Sequence, residues 1–560
     1  MSAGADSAGR APAAGRTLLA APAAPLSAWT VAAVAIAAVL AVPIVAVLSS
    51  LLAPAGEVWR HLWRTQLAEL VLNTVLLLAG VGAGTLIVGT GLAWLVVNHR
   101  FPGRAALEWA LILPLAVPAY VVGFAFLGLL EYSGPVQTGL RAWLGPWARL
   151  PELRSYGGVT LMMTLVFYPY VYLLARAAFR AQGAATLETA RSLGRSRLGA
   201  FLTITLPMAR PSLAAGASLA MMEALADFGT VSTFGYRTLT EAVYRVWYGM
   251  FDRVAAAQLA SVLLLFAFVL LLLERASRGR ARFTQGHRPG REVTPVALVG
   301  WRAAAATVTC GAVLGMAFLL PVGQLAVWAF ITAREGRVAP GFGALLGHTL
   351  WLASAASLCA CAAALVLSYA GRLRPSRAVR FAGQLAAMGY AVPGAVIAVG
   401  VLMPLAWLDH GVAPLLEHLS GRPVGLALTG SAAGLVFAYL VRFLAVSVQT
   451  VEASLARIPG SFDDAARSLG AGAGRALRRI HLPLMRGGLL TALILAFVET
   501  MKEMPATLLL RPFGINTLAV EVWERTSEAM WQEAAVPALA IVLAGLLPVV
   551  LAIRWSGKDR

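Results

Sequence analysis

Residues 188–207 and 464–483 carry one pattern twice, each matched pair 276 positions apart, as Gly194 and Gly470 are. In the first stretch Glu188-Thr189-Ala190 is followed by Gly194, then by Ile204, Leu206 and Pro207. In the second, Asp464-Ala465-Ala466 is followed by Gly470, then by Ile480, Leu482 and Pro483. Both contain Ala-Arg-Ser-Leu-Gly, at 190–194 and 466–470. An acid, a glycine and an Ile-x-Leu-Pro at fixed intervals, repeated at one long period, limit the chain to two homologous halves in tandem. Further pairs keep nearly the same spacing: Ala116-Val117-Pro118 with Ala391-Val392-Pro393, Thr74 with Thr349, and Trp247 with Trp523.

The sequence around the repeat belongs in a membrane. Of 560 residues, 59% are apolar and only 13% charged, with a mean hydropathy of +0.76. Several runs exceed the roughly 18 apolar residues that a spanning helix needs. The fold class is therefore an all-α polytopic membrane protein, with about twelve transmembrane helices as two tandem six-helix domains related by pseudo-two-fold symmetry. Residues 1–27 read as a disordered tail. The first domain covers 28–274 (core 69–274), a basic linker 275–300, and the second domain 301–555 (core 348–555). Spans are expected near 28–53, 69–97, 107–131, 157–176, 213–235 and 254–274, then near 303–331, 348–371, 381–407, 427–447, 488–510 and 535–553.

The formal charge of +19 is loop charge. With the N-terminus inside, segments on the cytoplasmic side hold 31 of the 45 Lys and Arg residues, which places both termini and both repeated stretches in the cytoplasm. No basic-aromatic platform accompanies that charge, so nucleic-acid binding is excluded. Cys310, Cys359 and Cys361 lie in apolar runs without disulfide or zinc spacing and read as packing residues. His348 and His410 read as polar residues at span ends.

The doubled pattern resembles the cytoplasmic coupling loop of ABC importer permeases, the EAA loop. The resemblance implies two short helices broken at the glycine, the first seated in a groove of an ATPase subunit. The residues suit that use. Glu188 and Asp464 stand where an acid favours a helix N-terminus. Gly194 and Gly470 accept the left-handed conformation of a sharp helix end. Pro207 and Pro483 begin the return into the membrane. Thr189 and Asp464 are conservative departures from the motif. The chain has no Gly-x-x-x-x-Gly-Lys-Ser/Thr of its own. It is read as a transport subunit without cofactor, the ATP and Mg being bound by the partner ATPase.

A second constellation is made of acids inside spans. Glu223 and Asp227 pair at i, i+4, as do Glu499 and Glu503, which would put each pair on one helix face. Ionisable groups in a span cost on the order of 2.5–3.5 kcal/mol and face a pathway or a partner. Four carboxylates about a pseudo-two-fold axis attract a hard cation. The alternative is that they bond neighbouring helices, pair with Lys502, or gate the path without touching its cargo. No metal ligand is firmly assigned.

The runs Met222-Glu223-Ala224-Leu225-Ala226-Asp227-Phe228-Gly229 and Met501-Lys502-Glu503-Met504-Pro505-Ala506 resemble the fused ferric-iron uptake permeases of bacteria. The resemblance covers nearly all of 60–555. It implies an inner-membrane permease fed by a periplasmic binding protein and driven by a homodimer of ATPase subunits. Importers of thiamine or phosphonates share the two-domain plan, and a proton-coupled secondary transporter is the reading from another class.

Overall fold

The computed structural model describes residues 27–54, 56–182, 194, 196–278, 295–421 and 428–558. Glu188, Thr189 and Ala190, which open the first loop, lie outside the described residues, as do nearly all of the tail and linker residues 279–294.

In the first half, α1 (Ala28–Ser49) precedes α2 (Leu67–Asn98), α3 (Ala119–Leu130), α4 (Tyr156–Ala181), α5 (Leu206–Ala226), α6 (Gly229–Thr233), α7 (Leu239–Gly249) and α8 (Arg253–Arg278). In the second half, α9 (Trp301–Leu314) and α10 (Leu320–Arg334) precede α11 (Phe342–Leu373), α12 (Gly394–Ser420), α13 (Ala432–Ala456) and α14 (Ser461–Ser468). They are followed by α15 (Leu482–Lys502), α16 (Pro505–Leu510), α17 (Leu518–Ser527) and α18 (Trp531–Lys558). A two-residue parallel ladder, His99–Arg100 with Val296–Ala297, joins the end of α2 to the last residues of the expected linker.

The repeat is legible in the helix ends. α2 and α11 are both 32 residues long, and both their ends are 275 positions apart. Ser155 and Ser431 cap α4 and α13 alike, each side-chain oxygen accepting the N–H three residues on, because the first N–H groups of a helix have no partner inside it. Thr74 and Thr349 each accept a backbone N–H at 3.1 and 2.9 Å, from Leu239 and Leu518, the first residues of α7 and α17. Those bonds correct one sequence pairing. Leu239 and Leu518 are 279 apart, as are their caps Thr238 and Thr517, so Trp247 and Trp523 at 276 are not structural equivalents. Between the break and this cap the second half has three more residues, one in α16 and two in the loop before α17, which shifts the register.

Eleven helices among the described residues are long and apolar enough to cross a bilayer. The twelfth expected span, 213–235, is not one continuous helix. It is α5, which carries Arg210 and Glu223 and stops at Ala226; the chain breaks at Asp227 and restarts as α6. The 488–510 span breaks in the same way between α15 and α16. Backbone irregular at this depth is stable only where it lines a cavity or is buried in protein.

α1, counted by sequence with the first half, packs chiefly on α12 and on the helix Arg377–Met388 of the second, and then on α11. Its buried stripe Ala33, Ala37, Leu40, Ile44 and Val47 recurs at helical spacing. Trp29 meets Tyr369 of α11 edge-on at 5.1 Å. α9 and α10 reach in the opposite direction: Thr307 donates to Pro102 O at 3.0 Å, and Trp328 stacks on Phe124. Each half thus holds the other by its leading arm.

Candidate functional site

The two helix breaks meet at one cavity of about 110 Å³, lined by Glu223, Asp227, Glu499, Lys502, Glu503 and Arg442, with Tyr120, Tyr170 and Tyr390. The four acids found in the sequence therefore share a site, but in a different way from the expected helix faces. Asp227 and Glu503 sit past the ends of α5 and α15, and each caps the short helix beyond it. Asp227 accepts from Thr230 N–H at 2.6 Å and Thr230 Oγ–H at 3.0 Å. Glu503 accepts from Ala506 N–H at 3.0 Å. A break in the membrane leaves N–H groups that water cannot serve, and a carboxylate at the cap position serves them.

The remaining oxygens separate the halves. Glu503 Oε2 is 3.1 Å from Arg442 Nε, with both side chains nearly buried. Glu499 Oε1 pairs with Lys502 Nζ at 2.8 Å. Glu223 accepts a hydrogen bond from Tyr390 Oη–H at 2.7 Å and, among the described residues, has no basic partner from the first half, where Val166 and Ala226 stand 276 positions before Arg442 and Lys502. Four carboxylates against two basic side chains leave this cavity a formal charge of −2. Tyr120, 6% exposed, keeps its hydroxyl in the same cavity without a hydrogen-bond partner. Among the described residues no three His, Cys, Asp or Glu side chains are placed to hold a metal ion, so the cavity is not a ready-made metal cage.

A larger cavity of about 1040 Å³ lies on the far side of α16, lined by Leu508–Leu510, Tyr244, Trp247, Arg511 and Trp523. Pro505, at the other end of α16, lines the small cavity. The short helix is the wall between the two.

At the opposite end of α15 is the second repeated loop. α14 has Asp463 and Asp464 in its first turn and ends at Gly470, whose φ is +71°. Ala471 N–H bonds Ala466 O at 2.9 Å and Gly470 N–H bonds Arg467 O at 3.0 Å, the double closure of a left-handed helix end. Gly194 in the first loop has φ +77°. Both loops return through a one-turn π segment, Phe201–Thr205 and Leu477–His481, holding Ile204 and Ile480. Pro207 and Pro483 follow in the first turn of α5 and α15, and a proline has no N–H for the preceding turn, which a wider turn accommodates. On α14, Ala466 is buried, while Asp464, Ala465, Arg467 and Leu469 are exposed. Leu469 is 85% exposed and Phe462 43%, a surface with apolar knobs.

A family model for the binding-protein-dependent transport system inner membrane component matches residues 85–282 and again 368–558. The chain belongs to this family. It is a permease with two tandem copies of the domain, a transport subunit of an ABC importer and a multi-pass inner-membrane protein; a system of this kind includes an ATPase and a substrate-binding protein. A Fe(3+)-transport system permease of Haemophilus influenzae is 28% identical over 505 residues, covering 89% of this chain and 92% of that protein. A ferric transport system permease of Actinobacillus pleuropneumoniae is 22% identical over 524 residues, 90% of this chain and 73% of that protein. The molybdenum transport permease ModB of Escherichia coli is 31% identical over 229 residues, 39% of this chain and 96% of ModB.

Sequence reasoning missed several residues of this permease. Arg442, one of the 31 Lys and Arg residues that the loop-charge reading assigns to the cytoplasmic side, lies inside α13 and faces Glu503. A lone arginine within the apolar run 427–447 was the signal. Tyr120, Tyr170 and Tyr390 gave none, since an aromatic in a span is ordinary. Asp463, one residue before the motif acid, is the more tightly held of the two: Arg372 Nη2 is 2.7 Å from it, whereas Asp464 pairs only with exposed Arg467.

Proposed function

We propose that this permease imports ferric iron, released by a periplasmic binding protein, through the cavity between α5 and α15. The observation that carries the reading is the cavity's charge. The relatives include permeases named for ferric iron and for molybdenum, and the two cargoes differ in sign where the metal travels as a cation or as an oxyanion. Four carboxylates, with tyrosine hydroxyls beside them, favour a hard cation and oppose an anion. Glu223, Asp227, Glu499 and Glu503 form the path, and Lys502 tempers their charge.

Both termini and both loops face the cytoplasm in this reading, and the two halves have cores at 69–274 and 348–555. Glu188, Thr189, Ala190, Gly194, Ile204 and Pro207, with Asp464, Ala465, Ala466, Gly470, Ile480 and Pro483, couple to a homodimer of ATPase subunits that bind ATP and Mg. The exposed Phe462 and Leu469 supply the apolar contact for its groove. ATP binding brings the loops together and the halves rock about the shared axis. α16 then withdraws from between the large and small cavities, and cargo passes.

The test is ATP hydrolysis by the permease reconstituted with its ATPase and binding protein. Stimulation by iron-loaded binding protein alone supports the proposal. Stimulation by thiamine, a phosphonate or molybdate keeps the importer and removes iron as cargo. Uptake without any ATPase would instead favour a proton-coupled carrier.

A further inference from the structure

The second coupling loop is tied to α11 at two points, one on each side of Gly470. Arg372, in the last turn of α11, donates to Asp463 on α14 (Nε to Oδ2, 2.8 Å). The same guanidinium donates to Leu455 O at 2.7 Å, Ile458 O at 2.9 Å and Pro459 O at 3.3 Å. These carbonyls lie at the end of α13 and just beyond it, where a helix has no partners for its last C=O groups. One planar fork thus fastens α11, the end of α13 and the first limb of the loop together, a geometry that lysine cannot reproduce. Tyr369 stands one turn earlier on the same face of α11. Its hydroxyl donates to Ala473 O at 2.8 Å, in the second limb. His481, wholly buried, packs beside them: Nε2 is 3.0 Å from Asp463 Oδ1 and its ring meets Tyr369 edge-on at 5.3 Å.

The first half carries different residues at the equivalent positions. Val97 stands where the second half has Arg372, Leu187 where it has Asp463, and Thr205 where it has His481. Trp94 replaces Tyr369 and packs on Phe201 at 4.2 Å, an apolar contact without direction. A separate ionic cluster, Glu108 with Arg176 and Arg180, joins α4 to the segment after α2.

We propose that Arg372 and Tyr369 are positioning residues that clamp the second coupling loop to α11, so that the ATPase stroke enters the second half as a rigid displacement. α11 packs along α13 and α15, which carry Arg442, Glu499 and Lys502 to the cavity, so the clamped half drives the side of the path that holds the basic groups. The inference rests on the coupling role proposed for this loop.

The experiment uses the full permease in lipid nanodiscs with its ATPase and iron-loaded binding protein, reading the ratio of stimulated to basal hydrolysis and retention of the ATPase on size exclusion. Arg372→Met is expected to lower the ratio by about tenfold, and Trp94→Leu by less than about twofold, within the range over which coupling residues act. Arg372→Lys is expected to fall between Arg372→Met and the unaltered chain. Cysteines replacing Arg372 and Asp463, joined by a short thiol cross-linker, are expected to restore the ratio that the unlinked pair loses. An unchanged ratio in Arg372→Met, equal losses in Arg372→Met and Trp94→Leu, or no rescue by the cross-link overturns the clamp. Gly470→Val on the same preparation reports on the loop itself. If it uncouples while Arg372→Met does not, only the clamp falls; if it too is without effect, the coupling assignment falls with it.

Discussion

The Arg442–Glu503 pair offers a quantitative test of how the cavity is held together. Glu503 is 4% and Arg442 12% exposed at the side chain, so neither charge has water to turn to when its partner is removed. Arg442→Met leaves a buried carboxylate alone, a defect of about 3–5 kcal/mol. Glu503→Gln keeps an oxygen for Ala506 N–H and the cap on α16, and loses a charged hydrogen bond of about 1.5–3 kcal/mol. Were the two effects independent, the double variant would lose about 4.5–8 kcal/mol. Removing both charges together instead leaves two neutral side chains of suitable size, and replacing a whole buried pair costs about 1 kcal/mol or less. The double variant is therefore expected to be more stable than Arg442→Met alone. Unfolding of the four proteins in one detergent, followed by tryptophan fluorescence, ranks them. An additive double variant, or an Arg442→Met protein as stable as the starting chain, would refute the pairing. Gly394→Ala provides an independent perturbation, because a Cβ there would collide with Arg442 Nη1 and Glu503 Oε1 at once.

Three further outcomes are expected. Replacing Gly194 and Gly470 together by valine forces a β-branched residue into left-handed φ, at about 1–2 kcal/mol each, and should uncouple hydrolysis from uptake while the protein remains folded; normal uptake would remove the loop assignment. Thr74→Val and Thr349→Val each strand a buried N–H, of Leu239 and Leu518, and should each lower stability by about 1–3 kcal/mol, measured by thermal unfolding. Glu223→Gln with Glu499→Gln should reduce iron uptake by at least about tenfold, or 1.4 kcal/mol, while stability is kept; unchanged uptake would place these acids off the path.

The tandem architecture was legible because it is written in periodic quantities: apolar run length, a 275–276 residue offset, and loop charge. The acids at the axis were legible because an ionisable residue in a span is rare. The breaks at Asp227 and Glu503 were not, since nothing in Ala226-Asp227-Phe228 alone ends a helix; the helix stops because the carboxylate caps α6 and the cavity accepts the irregular backbone. Arg442 was misread for a related reason. Near the expected end of a span, an arginine looks like loop charge until a buried partner is seen from another helix. The exchange of leading arms depends on packing between residues hundreds of positions apart, as between Trp29 and Tyr369, which no local pattern encodes. The Trp247 and Trp523 match shows the opposite error: a spacing that fits the period but not the fold.

Fusion of the halves bears on the charge at the axis. A symmetric pair of first halves would place Glu223 and Asp227 twice about the cavity with no basic residue, since Val166 and Ala226 occupy the positions of Arg442 and Lys502. Four uncompensated carboxylates in one small buried space are strongly destabilising. A symmetric pair of second halves would bring two arginines and two lysines against four glutamates, a neutral cavity with nothing to attract a cation. Only a chain with one half of each kind reaches the intermediate charge of −2. Covalent linkage guarantees that pairing, because neither half is free to meet its own kind. The same freedom allows the two repeated loops to differ in sequence: Arg372 donates to Asp463 in the second half, where the first has Val97 and Leu187. The asymmetry of charge at the cavity and the asymmetry of sequence at the loops then have one origin, and their basic residues fall in the same half: Arg372, Arg442 and Lys502 all belong to the second.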